Sequence, residues 1–80
     1  MLLAKVYVTL QHGVLDPQGE VVGQGLQAMG YQDVISVKVG KYIEIKLDTA
    51  DRDAAAREVE KMCSRLLANP VIEQYRYTLE

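Results

Sequence analysis

The run from residue 13 to residue 19, Gly-Val-Leu-Asp-Pro-Gln-Gly, constrains the fold of this chain more than any other segment. It separates a stretch of strict alternation from a stretch of helical periodicity, so it must end a strand and begin a helix. Gly13 can end the strand, and the Asp16 carboxylate can cap the first helical turn. Pro17 then falls at the first helical position, where its missing N–H costs no hydrogen bond.

The segments on either side of this run have clear periods. Residues 5–11 alternate between apolar and polar side chains, which predicts a half-buried strand. Residues 16–29 place Val22, Leu26 and Met29 on one helical stripe, with Gly30 as the residue that ends the helix. Two more alternating runs, 35–39 and 43–47, flank Gly40-Lys41, and we expect them to form an antiparallel hairpin.

The second half of the chain repeats the helix–strand pattern. Residues 51–68 predict a helix with an apolar stripe, and Asn69-Pro70 ends it. Residues 71–79 are then extended. The order β-α-β-β-α-β predicts an α+β, ferredoxin-like fold with both helices on one face of a four-stranded antiparallel sheet. We expect residues 1–80 to form one domain, whose uncovered sheet face carries Tyr7, Thr9, Tyr42, Glu44, Lys46 and Arg76.

Composition limits the classes of partner. Of the 80 residues, 49% are hydrophobic, and a small fold buries only about 60% of the surface that its unfolded chain exposes. We therefore expect an oligomer or a subunit of a larger assembly. The net charge of −2, without any basic run, predicts no binding to nucleic acid or to an anionic membrane. No targeting or membrane-spanning pattern is present, so we expect a cytoplasmic protein.

Two side chains have chemistry that could support catalysis. His12 is the lone histidine, and it has neither a second histidine nor an acidic pair at metal-ligand spacing. An exposed loop residue is the favoured interpretation. Cys63 lies on the apolar stripe of the second helix, where a cysteine behaves as a small hydrophobe rather than a nucleophile. We therefore predict no catalytic residue, no metal ligand and no cofactor-binding residue in this chain.

Glycines and tyrosines leave two questions open. Gly19, Gly23 and Gly25 match neither the dinucleotide fingerprint nor the Walker A loop. Gly19 and Gly23 lie one turn apart, so they either weaken the helix or allow another backbone to approach closely. Tyr7 and Tyr42 could stack on nucleobases, but the lack of basic neighbours favours contact with protein. Four acidic residues of the second helix fit a solvated helix face: Asp51, Asp53, Glu58 and Glu60.

The chain as a whole resembles the PurS family, the small subunit of phosphoribosylformylglycinamidine synthase. Residues 13–19, 39–44 and 66–73 carry this resemblance, which extends over nearly the whole chain in the same order. In the family these positions are not catalytic. The sequence therefore offers only structural or interface candidates: Tyr7, Asp16, Pro17, Gly19, Gly23, Tyr42, Asn69 and Pro70.

The resemblance implies a noncatalytic subunit that joins a PurL-like synthetase subunit to a PurQ-like glutaminase subunit. That complex converts formylglycinamide ribonucleotide, ATP and glutamine into formylglycinamidine ribonucleotide in purine biosynthesis, and its small subunit assists ammonia transfer. ATP and magnesium are then used by the synthetase subunit, with no cofactor in this chain. The resemblance further implies a homodimer or homotetramer when the chain is alone.

Two other classes of protein share this order of elements. One is a regulatory dimer of ACT-like type that binds a small molecule at its interface. The other is a small dimeric enzyme of ferredoxin-like fold, for which His12 is the only candidate residue. We expect the uncovered sheet face, or the strand edges beside it, to be buried against another copy or a larger subunit.

Overall fold

A computed structural model describes all residues, 1–80, and shows a three-stranded sheet with two helices. The elements are β1 (Leu2–Leu10), α1 (Pro17–Ala28), β2 (Lys41–Leu47), α2 (Arg52–Met62) and β3 (Glu73–Leu79). A π-helical turn, Cys63–Leu67, extends α2. The strand order is β2-β1-β3, and both pairings are antiparallel.

The central strand β1 sets the two faces of the sheet. Val6 lies opposite Ile43 on one side and Tyr77 on the other, and these side chains share the inner face. Tyr7 lies opposite Tyr42 and Arg76 on the outer face. The alternation predicted for residues 5–11 is therefore confirmed, because successive side chains of a strand point to opposite faces.

The core lies between the inner face of the sheet and α2. Asp51 caps α2, with Oδ1 accepting a hydrogen bond from the Ala54 N–H at 3.2 Å. The helix and the turn after it bury Ala55, Val59 and Cys63 of the predicted stripe, whereas Leu66, also predicted to lie on this stripe, is 83% exposed. The core comprises nine buried residues: Leu2, Ala4, Val6, Val8, Leu47, Ala55, Val59, Cys63 and Ala68.

The predicted fourth strand is absent. The predictions of a four-stranded sheet and of a hairpin between residues 35–39 and 43–47 were therefore wrong. A two-residue hairpin turn of the favoured types needs a residue with positive φ, and in this chain only Gly13 and Gly30 have one. Gly40 therefore does not turn the chain back on itself. Residues 35–39 belong to no strand, and the Val39 N–H donates to the Asp16 carboxylate instead of to a strand.

The predicted packing of both helices on one sheet face was also wrong. α1 buries only Gly19, whereas Val22 is 42% exposed and Met29 is 73% exposed. Together with the segment that follows it, α1 forms a projection that we call the arm, residues 17–39. The radius of gyration is 16.1 Å, against roughly 12 Å for a compact chain of this length. Neither helix has the length and apolar composition that crossing a bilayer requires.

Candidate functional site

The outer sheet face carries a row of three large side chains, one from each strand. The rings of Tyr42 and Tyr7 lie 5.2 Å apart, tilted by 32°. On the other side of Tyr7, the guanidinium carbon of Arg76 lies 4.1 Å from the ring centroid. This is cation–π geometry, favoured because the ring face is electron-rich. We call Tyr42, Tyr7 and Arg76 the outer-face row.

The carboxylates beside the outer-face row already have partners. The Tyr42 hydroxyl donates to Oε2 of Glu44 at 2.7 Å, and this hydrogen bond raises the pKa of Tyr42. Lys5 forms an ion pair with Glu80 at 3.0 Å, which raises the pKa of Lys5. The row also borders an open concavity of about 540 Å³, lined further by Thr9, Gly40, Lys41 and Gln74. Tyr7 and Tyr42, the two tyrosine candidates, therefore lie together on one exposed surface.

The second group of candidates lies where α1 begins. Oδ1 of Asp16 accepts from the Gly19 N–H at 2.8 Å, and Oδ2 accepts from the Val39 N–H at 2.9 Å. These two bonds, that from Val39 being the stronger cause, lower the pKa of Asp16. Pro17 follows as the first residue of α1. The sequence pattern pointed to the cap at Asp16 but contained no signal for Val39, which is 23 residues away.

Gly19 and Gly23 face Val37 in the second part of the arm. A Cβ atom at Gly19 would collide with the Val37 carbonyl oxygen, and one at Gly23 would lie 3.6 Å from Cγ2 of Val37. Close backbone approach, one of the two possibilities left open by the sequence, is therefore observed at Gly19, whereas Gly23 makes only an ordinary side-chain contact. The approaching backbone belongs to the chain's own residues 35–39. Gly25 has no neighbour within 4 Å of the corresponding position.

Asn69 and Pro70 form the turn between the second helix and β3. The Asn69 N–H donates to Oε1 of Glu73 at 2.7 Å, and Oδ1 of Asn69 accepts from the Val71 N–H at 3.1 Å. Gln11 then fastens the turn to the end of β1, since its Nε2 donates to the Pro70 carbonyl at 2.9 Å and to the Glu73 carbonyl at 3.1 Å. Sequence reasoning missed Gln11, because a polar residue at a strand end carries no distinctive signal.

Besides the outer sheet face and the outer edge of β3, two regions have no covering within the chain. One is the edge of β2 that faces away from β1, which pairs with no strand. The other is the apolar surface of the arm, where Ile35 is 96% exposed. Further large apolar residues of the arm are exposed as well: Val21, Val22, Met29 and Tyr31. An unpaired strand edge beside exposed apolar groups is a surface that associates with other chains.

Neither of the two residues considered for catalysis has the surroundings that catalysis requires. His12 is exposed in the turn after β1, and the nearby Asp16 carboxylate is occupied by backbone N–H groups. Cys63 is fully buried, and its burial raises the pKa of the thiol, which opposes formation of the nucleophilic thiolate. No three His, Cys, Asp or Glu side chains are grouped as metal ligands.

Comparison with known proteins gives one consistent family. The model of the PurS family, described as phosphoribosylformylglycinamidine (FGAM) synthase, matches residues 3–80. The PurS subunit of FGAM synthase from Bacillus subtilis is 49% identical over 80 residues, which is 100% of this chain and 94% of that protein. The PurS subunit from Synechocystis is 47% identical over 94% of this chain and 75% of its own length.

Solved structures agree with this result. The crystal structure of B. subtilis PurS superposes with a TM-score of 0.87 at 49% identity, over 100% of this chain and 99% of that chain. The structure of PurLQS from Thermotoga maritima contains a chain that superposes with a TM-score of 0.86 at 28% identity, over 100% of this chain and 99% of that one.

Proposed function

This chain belongs to the PurS family of FGAM synthase subunits, and from that premise we propose that it bridges the PurL and PurQ subunits. FGAM synthase is a glutamine-dependent ligase complex of purine biosynthesis, in which this chain is a noncatalytic subunit that acts with PurL and PurQ. The bridge aligns the glutaminase and synthetase sites and shields the ammonia that passes between them.

The observation that carries this proposal is the small buried fraction of the isolated chain. Only 10 of its 80 residues are buried, although 49% of the residues are hydrophobic. A chain that exposes this much apolar surface lowers its free energy by association, because burial of apolar surface is the main favourable term in protein assembly.

A second copy of the chain is the partner that we assign to the arm and the free edge of β2. Residues 35–39 have the alternating pattern of a strand but no pairing partner, and the edge of β2 that faces away from β1 has no strand beside it. If residues 35–39 of one copy paired with the free edge of β2 in the other copy, both would gain backbone hydrogen-bond partners. Identical chains most often associate about a two-fold axis, which gives a homodimer, or a homotetramer built from two dimers.

The remaining assignments follow from the same role. FGAM synthase uses ATP, and we place ATP and magnesium on the synthetase subunit, because this chain offers neither a phosphate-binding loop nor a group of metal ligands. Residues 1–80 act as a single domain in this role. We place the complex in the cytoplasm, because charged ribonucleotide substrates do not cross membranes freely.

The alternative of an ACT-like regulatory dimer is not favoured. The family match covers residues 3–80, and the curated relatives at 32–49% identity are PurS subunits. Those matches extend over more than nine-tenths of this chain, so they leave no separate segment that could belong to a different family.

Reconstitution tests the proposed function. PurL and PurQ are mixed with glutamine, ATP, magnesium and formylglycinamide ribonucleotide, and product formation is measured with and without this chain. We expect glutamine-dependent synthesis to require the chain, and synthesis from added ammonium by PurL to require neither PurQ nor the chain. Full glutamine-dependent activity in the absence of the chain would contradict the proposal.

A further inference from the structure

The side chains of the outer sheet face lie in rows that cross the three strands. The outer-face row leads from a tyrosine on β2 to an arginine on β3. A second row, which we call the end row, begins with Lys46 on β2, which lies opposite Leu3. It ends with Glu80, whose backbone N–H and carbonyl both form hydrogen bonds of 2.9 Å with Leu3. The two ends of each row therefore differ in chemistry: an aromatic ring and a guanidinium in one, an ammonium and a carboxylate in the other.

Opposite ends of each row would meet if a second copy lay face to face with the first about a two-fold axis parallel to β1. Because β1 lies between β2 and β3, this rotation lays β2 of one copy over β3 of the other. Arg76 then faces Tyr42 of the second copy, and Lys46 faces Glu80 of the second copy. Each contact occurs twice by symmetry. Sheets that pack in this aligned way lie about 10 Å apart, with their strands crossing at about 30°.

Charges that lack an ion-pair partner within the chain find one across this axis. Arg76, Lys46 and Glu44 take part in neither of the two ion pairs. Glu44 accepts a hydrogen bond from Tyr42 but keeps its negative charge. It follows Tyr42 by two positions on the same face of β2, so it comes beside Arg76 of the second copy. Lys46 in turn gains Glu80 as a partner. The outer face is thus complementary in charge to its own two-fold image.

The centre of this contact is formed by β1 meeting β1. Leu3 and Tyr7 lie on the axis and supply apolar and aromatic surface. Lys5 is the charged residue that would face its own copy, and its ion pair with Glu80 at 3.0 Å reduces the repulsion. Tyr7 also holds the guanidinium carbon of Arg76 4.1 Å from its ring centroid. This stacking restricts the arginine before the copies meet, which lowers the entropy lost on binding.

We propose that the outer face binds the outer face of a second copy about a two-fold axis parallel to β1, and that this contact joins two dimers into a tetramer. The inference rests on the proposed function, in which the arm and the free edge of β2 form the dimer, and it adds the surface and the register of the second contact. A face whose unpaired cations and carboxylate are brought together by a two-fold rotation fits a copy of itself. A segment of another protein would have to supply the same charges in the same order.

Two variants of the end row test this register by mixing. In Lys46→Glu the new carboxylate would face Glu80 of the second copy, and in Glu80→Lys two ammonium groups would face each other. Either variant alone should raise the dissociation constant of the tetramer into dimers at least about tenfold, as measured by sedimentation equilibrium. An equimolar mixture should recover most of the wild-type association, because each copy then presents the charge that the other lacks.

Arg57→Glu is the matched control, since it reverses the charge of an exposed residue on α2, away from the outer face. It should change the dissociation constant less than about twofold, and it should not rescue Glu80→Lys in a mixture. Arg76→Glu is a second disruptive variant, because its carboxylate would lie beside Glu44 of the second copy. It should weaken the tetramer as Lys46→Glu does.

The outcomes identify the occupant of the outer face. Unchanged association of both end-row variants, or a mixture no more associated than its components, would overturn the inference. A wild-type chain that stays dimeric at high micromolar concentration would also overturn it. If Lys46→Glu leaves the tetramer intact but weakens binding to PurL and PurQ, the occupant is a larger subunit and the inference is wrong.

Recovery in the mixture excludes misfolding as the cause of the separate losses, because a misfolded copy offers no surface to its complement. The sedimentation experiment uses the chain alone. A failed reconstitution with PurL and PurQ would therefore count against the proposed function and not against this contact.

Discussion

Asp16 and Val39 lie 23 residues apart and are joined by one hydrogen bond of 2.9 Å, from the Val39 N–H to Oδ2 of Asp16. The other oxygen of the same carboxylate caps α1 through the Gly19 N–H at 2.8 Å. The Asp16 side chain therefore caps the helix at the start of the arm and also binds Val39 at the end of the arm. This relation explains why residues 35–39 run beside α1 rather than folding back onto β2.

Removal of the Asp16 carboxylate should destabilise the chain and change its response to acid. Because the native pKa of Asp16 is lowered, its stabilising effect is fully present above the ordinary value of 3.8 and is lost as the pH falls through the native value. We expect Asp16→Ala to lower the urea midpoint at neutral pH. We also expect its midpoint to fall less than that of the wild type on acidification, as followed by circular dichroism. Parallel acid curves for the two proteins would contradict this.

Alanine should have opposite effects at two glycines of α1. At Gly19 a Cβ atom would collide with the Val37 carbonyl, so Gly19→Ala should lower the melting temperature. Gly25 has open space around its Cβ position, so Gly25→Ala should raise stability by about 0.5–1 kcal/mol through helix propensity. The melting temperatures of both variants are measured by calorimetry, and each variant is the control for the other. Equal shifts in melting temperature would show that the Val37 contact is unimportant.

The hydroxyl of Tyr75 should titrate unusually late. It donates to Oε2 of Glu60 at 2.6 Å, and this hydrogen bond, with desolvation, raises the pKa of Tyr75 to about 12. A raised pKa stabilises the native state below the ordinary value of 10.0, and this stabilisation is lost as the pH rises toward about 12. The pKa of Tyr42 is also raised, so phenolate absorbance should show more than one late component, and the component near pH 12 should disappear in Tyr75→Phe. Its persistence in that variant would assign it to another tyrosine.

The Cys63 thiol should be unreactive in the native chain. It is fully buried in the core, and burial raises its pKa, so both access and thiolate formation are opposed. We expect an aromatic disulfide reagent to modify Cys63 only after denaturant is added, at a rate that follows unfolding. Rapid modification of the native protein would show that the end of α2 opens locally.

Ile35 should contribute to association of the chain with itself. Its side chain is 96% exposed on the unpaired segment 35–39, which we assign to contact with a second copy. Ile35→Asp should therefore lower the mass measured by light scattering, with helix content retained. Ser36→Asp adds the same charge at the neighbouring polar residue and should have a smaller effect. An unchanged mass for Ile35→Asp would remove the arm from the interface.

Local sequence patterns were sufficient to predict features that depend on neighbouring residues. The alternation in β1 and β3 predicted the inner and outer faces, since a strand has a side-chain period of two. The sequence also placed the cap of α1 at Asp16 and its end at Gly30, which has φ +100°. These features depend on residues within a few positions of one another, so they can be inferred from the sequence alone. The same reasoning located Tyr7, Tyr42 and Arg76 on one uncovered face.

Tertiary structure alone decided what residues 35–39 and α1 pack against. Alternation of Ile35, Val37 and Val39 suits a strand in a sheet, but it equally suits an extended segment beside a helix that carries Gly19 and Gly23. The apolar stripe of α1 likewise indicates that a surface is to be buried, without indicating which chain buries it. The hydrogen bond from Val39 to Asp16 selected the arm over the hairpin. It joins residues too distant in sequence for any local pattern to connect, because pairing between remote segments depends on which of several competing partners lies within reach.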